Sequence, residues 1–310
     1  MKNLSFLVVL LALFSCQNAT ESTTTIPDSV LVANLNAEQI EQKLFEIEKL
    51  QPAEKVSLAY IKAQITNYEP LGIIAIPIVE KIITKQFSAL TVEEADSVYK
   101  LFDYLITDAT FEFTDGIYNK YPIIIEKLDS NKDDKEVKAF KQSLALCGLS
   151  LQMVEGSYYV DLLPDYIFNI FKGKGTKALN EYLLIQQLEL KEGYAEDGGM
   201  YISFDDLYKR IVLYEDFMAK FPDFYLNSDL TFRYTGYLST LLTGMYNTPV
   251  FDYESLELLP ELKVLYEKVS ANTDSRNSTK IIKEYYLLLS KNSFKQLENT
   301  DDFLKTSGLM

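Results

Sequence analysis

Apolar and polar positions divide the chain into three stretches. Residues 4–14 form an apolar run in which Ser5 is the only polar member, behind a charged start at Lys2. From residue 17 to about 35 the chain is rich in Ser, Thr and Asn, with no apolar period before Leu31. Further on, apolar residues recur every three or four positions, the spacing of one helix face. Asn36 offers an N-cap, and Ile40, Leu44, Ile47 and Leu50 follow on one stripe. Pro52 suits the first position of a second helix, which must end before Glu69-Pro70. The β-branched stretch 70–90 fits a buried strand or a helix; without matching strands around it, a helix near residues 77–86 is favoured. Thr91-Val92-Glu93-Glu94 has the form of a capping box, with Ala95, Val98, Phe102, Leu105 and Ile106 behind it.

The cleanest stripe is Val137, Phe140, Leu144, Cys147, Leu151 and Val154, which predicts a helix over 133–155 with Cys147 buried. Further helices are expected at 164–172, 176–192, 204–220, 229–246, 254–270, 278–291 and 294–304. Ser203, and Asn277 or Ser278, supply helix starts. No strand ladder with turn signals is visible, so the expected fold class is all-α. Two segments echo each other, Gly156-Ser157-Tyr158-Tyr159-Val160-Asp161 and Gly199-Met200-Tyr201-Ile202-Ser203. Each reads as a hydrophobic entry to a helix capped by Asp161 or Ser203.

The turn Ala219-Lys220-Phe221-Pro222-Asp223 resembles the junction between helices of tetratricopeptide-like proteins, with a weaker echo at Ala271-Asn272-Thr273-Asp274-Ser275. That resemblance implies stacked helical hairpins, an α-solenoid or TPR-like array, over residues 36–310.

The apolar run near the start is too short to span a bilayer, which needs about 20 apolar residues. Its charged start and small final residue describe a secretory signal peptide. Leu13-Phe14-Ser15-Cys16 resembles the lipobox of bacterial lipoproteins, with Phe14 standing where a small residue is usual. The resemblance implies a signal peptide over 1–15, cleavage before Cys16, and acylation of Cys16 as the link to a lipid bilayer. Gln17, rather than Asp, then implies the outer membrane of the cell envelope. Residues 16–35 read as a flexible tether, about 20 residues spanning roughly 25 Å as a coil.

Composition mainly excludes. The formal charge is −15, which argues against nucleic acid. The chain has no histidine and no tryptophan. Histidine-dependent triads and HExxH zinc sites are therefore impossible. Asp129-x-Asn131-x-Asp133 begins like a calcium loop, but Asp134 replaces the turn glycine and Phe140 the closing glutamate. Lys172-Gly173-Lys174-Gly175-Thr176-Lys177 lacks P-loop spacing and reads as a helix end followed by a Thr176 cap. Acid pairs at Asp161/Asp165, Glu196/Asp197 and Asp205/Asp206 read mostly as helix-starting charge. No metal, cofactor or catalytic set is expected, and no disulfide, since Cys147 has only the acylated Cys16 to pair with.

Aromatics change the picture more. Residues 158–253 hold 21 of the 40 Phe and Tyr. Most belong to packing, but an exposed groove near Tyr158, Tyr159, Tyr201 and Tyr246 is the expected binding site. The segment Asn247-Thr248-Pro249-Val250-Phe251-Asp252 reads as a structural turn whose Asp252 caps the next helix. The expected function is a non-catalytic binding or scaffold module of the envelope, with a protein, peptide or glycan partner. The alternative is a carboxylate-based glycan-acting enzyme on a helical scaffold.

Overall fold

A computed structural model describes residues 37–49 and 57–310 of the chain. The signal peptide, Cys16, the tether, the Asn36 cap and the Pro52 helix start lie outside the described residues. Helix α1 (Ala37–Lys49) buries Ile40 and Ile47 of its expected stripe. Helix α2 (Leu58–Tyr68) is capped by Ser57 and runs into a tight turn over Glu69–Ile74. Helix α3 (Ala75–Gln86) confirms the helical choice for the β-branched stretch. It buries Ile76, Ile78, Val79, Ile82 and Ile83 and keeps Glu80, Lys81, Thr84 and Lys85 on one polar face, so its wide apolar face packs into the body.

Helix α4 (Val92–Lys120) opens with the Thr91 capping box, both halves formed: Glu94 N–H donates to Thr91 Oγ1 at 3.2 Å, and Thr91 N–H to Glu94 Oε2 at 2.9 Å. Helices α5 (Pro122–Asp129) and α6 (Lys135–Leu146) complete this wholly helical first part. The acids at the end of the segment that begins like a calcium loop form ion pairs: Lys127 meets Asp134 and Glu136, and Asp133 meets Lys138 and Lys141.

The chain then departs from an all-α reading. The helix expected over 133–155 stops at Leu146, and β1 (Leu149–Val154) pairs with β2 (Ser157–Leu162) in an antiparallel hairpin. Gly148 makes the break. Its φ is +73°, and a Cβ there would meet the Tyr166 ring at 2.6 Å. Glu155 and Gly156 both have positive φ, the signature of a two-residue hairpin turn. Asp161 therefore sits in a strand and caps no helix. Cys147 stays buried and unpaired, and burial pushes its thiol up to about 12.

Helices α7 (Tyr166–Phe171) and α8 (Lys177–Glu192) follow, the second capped by Thr176 as expected. The helix–glycine–hairpin sequence then recurs twice. Gly193 ends α8 and leads to β3 (Ala195–Glu196) and β4 (Gly199–Met200), turned by Asp197-Gly198. Ser203 caps α9 (Phe204–Lys220), which pairs with α10 (Asn227–Thr243). Gly244 ends α10 and opens β5 (Gly244–Met245) and β6 (Thr248–Pro249). A Cβ on Gly244 would lie 2.7 Å from the Thr248 carbonyl, so only glycine fits.

The helices expected to run to 246 and to begin at 254 are both shorter for this reason. Asp252 caps a tight turn, accepting from the N–H groups of Glu254 and Ser255. Helix α11 (Pro260–Ser270) starts only after it and pairs with α12 (Asn277–Lys291). Helix α13 (Thr300–Thr306) is shorter than the expected 294–304 segment. The body is thus mostly helical, with three small two-stranded sheets among the described residues. Among them no helix is long and apolar enough to cross a membrane.

Candidate functional site

The residue that singles out a site is Arg210. The chain has three arginines, Arg210, Arg233 and Arg276, among 30 basic residues. Arg276 holds Asp216 and Asp274 in exposed and half-buried ion pairs. Arg210 and Arg233 both line one cleft of about 380 Å³.

Helix periodicity builds that cleft. Tyr182, Gln186 and Glu189 lie on one face of α8, and Leu226, Leu230, Arg233 and Tyr237 on one face of α10 or at its start. Asp103 and Thr107, four apart on α4, form a third wall. Arg210 enters from α9, and Leu162, Gly193 and Tyr194 close the side nearest the first two hairpins. The glycine that ends α8 is thus also a wall of the cleft.

Glu189 is the hub of its polar network. Its carboxylate accepts from Tyr237 Oη at 2.5 Å and from Arg233 Nη1 at 2.9 Å. Burial and Glu189 together push the Tyr237 and Tyr214 phenols above their ordinary range. Tyr194 leans on Tyr237, ring centroids 4.7 Å apart, and donates to Thr240 Oγ1 at 2.8 Å.

Arg210 is only 2% exposed. Its Nη2 donates to Glu192 at 2.8 Å, while Nη1 stands 4.0 Å from Glu189. Its Nε and Nη1 are buried without a hydrogen-bond partner among the described residues. Burial opposes the guanidinium charge, but Glu192, Tyr237 and Glu189 outweigh it and hold Arg210 charged. A buried cation with two unspent donors is costly unless something else uses them.

Across the cleft, Asp103 has the opposite character. Burial raises its carboxyl above the ordinary value and the Asp229 charge adds to this, while the Tyr99 hydroxyl and Arg233 oppose it. Tyr99 reaches Asp103 at 3.5 Å, a weak bond that leaves the carboxylate acceptor capacity. Burial, and after it Asp103, pushes the Tyr182 phenol between these groups to about 12.

The four tyrosines marked in the sequence lie elsewhere. Tyr158 N–H donates to Tyr118 Oη at 2.8 Å, and its ring leans on the Tyr118 ring beside α4. Tyr159 lies within electrostatic reach of Asp161 and Glu196, between the first two hairpins. Tyr201 and Tyr246 are brought near one another, because the second and third hairpins join: Asn247 N–H donates to the Gly198 carbonyl at 2.8 Å, and Met200 N–H to Thr248 Oγ1 at 2.9 Å. Both rings are exposed, Tyr246 at 86%. The cleft itself is lined by Tyr182, Tyr194 and Tyr237.

A larger depression of about 900 Å³ lies around Leu288 and Phe303, but its charged groups, Lys291, Lys295, Glu298 and Asp302, face solvent. Volume alone is therefore a poor guide. Among the described residues no group of acidic and thiol side chains is placed to hold a metal ion. No protein-family model matches the chain, and neither characterised proteins nor solved structures include a significant match to it.

Proposed function

We propose that this chain is a bacterial lipoprotein, anchored in the outer membrane through acylated Cys16, whose body is a non-catalytic binding module of the cell envelope. The observation that supports the binding role is Arg210, buried, charged and with two donors unspent beside a polar cleft. A residue kept for packing alone would cost less as methionine or leucine. The anchor rests on the lipobox-like Leu13-Phe14-Ser15-Cys16 and the polar stretch behind it. The pairs α9/α10 and α11/α12, each entered from a small hairpin or turn, favour a stacked helical-hairpin array for the body.

Two measurements test the reading. Metabolic labelling with a fatty-acid analogue should mark the protein, and Cys16→Ser should abolish label and membrane retention. Retention of either in that variant ends the lipoprotein reading. Envelope material captured by the wild-type chain should be lost from Arg210→Met; equal capture by both removes the cleft from the binding role.

A second reading is kept alive by Asp103. A carboxyl raised above its ordinary range by burial, in one cleft with Glu189 and Asp229, is the raw material of carboxylate acid–base chemistry. Against it, Glu189 is already committed to Arg233 and Tyr237. Turnover of a glycan by the wild type, lost in Asp103→Asn, would reverse the preference.

A further inference from the structure

The unspent valences of the cleft specify a ligand chemistry, and this step rests on the cleft being the binding site. On one side, Arg210 Nε and Nη1 are donors without acceptors. On the other, Asp103 and Asp229 are acceptors with little to accept. Among the described residues, Asp103 has the 3.5 Å approach of Tyr99, and Asp229 that of Ser228 at 3.5 Å, as their hydrogen-bond contacts. The Glu189 carboxylate between these sides offers little, since Arg233 and Tyr237 occupy it.

We propose that the cleft binds a small zwitterion, an amino acid or short peptide with free ends. Its carboxylate goes to Arg210, and its ammonium goes between Asp103 and Asp229. Each end answers a cost already present in the empty arrangement. A carboxylate would satisfy a guanidinium that is 2% exposed and underused. An ammonium would relieve the repulsion between Asp103 and Asp229, which together with burial disfavours ionised Asp103. A simple anion would meet the Arg210 side but add to the charge of a cleft where Glu189, Asp103 and Asp229 already outnumber Arg210 and Arg233. A simple cation would leave Arg210 unanswered. A zwitterion is neutral overall and serves both.

Size points the same way. At about 380 Å³ the cleft is near the lower end of ligand sites, which run from about 300 to 1,000 Å³. It suits one or two residues of peptide, with Tyr182, Tyr194 and Tyr237 as the apolar walls. Leu162, Leu226 and Leu230 complete the lining, so a modest aliphatic or amide side chain is accommodated.

Calorimetric titration of the full chain in detergent micelles tests the assignment. The probes are alanyl-glutamine, its N-acetyl derivative, its C-terminal amide, and maltose. Alanyl-glutamine is expected to bind, and blocking either end to weaken it at least about tenfold, the loss of one buried charge-assisted contact. In Arg210→Met the parent dipeptide should fall to the affinity of its amide, while the amide itself changes little. In Asp103→Asn, acetylation should lose most of its effect. Circular dichroism and the thermal midpoint confirm that both variants fold. Equal binding of blocked and free dipeptide overturns the proposal, and so does a dipeptide that fails to bind. Maltose binding that Arg210→Met abolishes overturns the ligand class but leaves the cleft as the site. Loss of the cleft altogether would show instead as unchanged envelope capture by Arg210→Met.

Discussion

Two partly buried glutamates in this molecule gather hydrogen-bond donors in the same way and differ in what they leave over. Glu215, on α9, accepts from the backbone N–H groups of Asn277 and Ser278, from Ser278 Oγ at 2.5 Å and from Tyr234 Oη at 3.4 Å. Helix α12 has no side-chain cap of its own, and a carboxylate from another helix supplies one. That placement satisfies orphan amides and meets the positive end of the helix dipole. Asp96 of α4 instead braces the Thr176 cap of α8, accepting from Thr176 N–H at 2.8 Å and Thr176 Oγ1 at 2.6 Å. These clusters close on themselves and lock helix to helix. The Glu189 cluster also joins helices, but it leaves Arg210, which lines a cavity, with Nε and Nη1 buried and without an acceptor among the described residues. Other buried hydroxyls and an amide oxygen also lack partners among the described residues, but Arg210 is the one such group that carries a charge.

The largest effect should come from Glu189 itself. Glu189→Leu strands the buried Tyr237 hydroxyl and takes one of two nearby carboxylates from buried Arg210, while the exposed Arg233 returns to water, and should lower stability by about 3 kcal/mol, read as a shift of the urea midpoint. Glu215→Leu should cost less, about 1–3 kcal/mol, because it loses hydrogen bonds without stranding a buried cation. Faster hydrogen exchange at the first amides of α12 would locate that loss. Equal costs at the two glutamates would erase the distinction between them.

The helical pattern was legible wherever a stripe stayed in phase, as in α1, α3 and α9. It misled at 147–154. Leu151 and Val154 continue the phase of Val137, Phe140 and Leu144 by coincidence, while alternate side chains of β1 point to opposite faces. Local turn chemistry marks the error. Glu155-Gly156 and Asp197-Gly198 are two-residue turns of the type that Asp-Gly strongly favours, and each follows a helix-ending glycine with positive φ. The strands β3 to β6 are two residues long, too short for alternation to register. Aromatic density covers helices that line the cleft, since α8, α9 and α10 all fall within it. It selected exposed rings on the hairpins rather than Tyr182, Tyr194 and Tyr237. Asp103 joins the cleft from α4, 86 residues before Glu189, a juxtaposition that no periodicity encodes. The scarcity of arginine was the available signal, because a Lys-dominated chain that keeps Arg at two nearby helix positions is using the planar guanidinium.

Arg210→Met should move stability by no more than about 1 kcal/mol in either direction. The Glu192 carboxylate it releases is largely hydrated already, at 42% exposure, and Glu189 keeps Arg233 and Tyr237. The buried charge carries a desolvation cost that methionine does not. A loss above about 3 kcal/mol would make Arg210 a strut like the donors around Glu215, and the contrast between the two clusters would fail.

Asp103 gives the smallest effect and the one with a sign to check. Burial raises its carboxyl above the ordinary value of 3.8. At pH below 3.8 the group is protonated folded and unfolded, and the folded state keeps the full benefit of a neutral side chain. As pH rises through the raised folded value, the unfolded chain has already released its proton while the folded one must ionise a buried group, so that benefit is lost. Asp103→Asn cannot ionise and keeps it. The thermal midpoint of the variant should therefore match the wild type in acid and exceed it near neutrality, by about a degree or two for a sub-kilocalorie effect in a chain of this size. A match in acid with a loss near neutrality would mean that Asp103 is stabilised as the carboxylate, by the Tyr99 hydroxyl and Arg233, and that the acceptor side of the cleft is as fully spent as the Glu215 cluster.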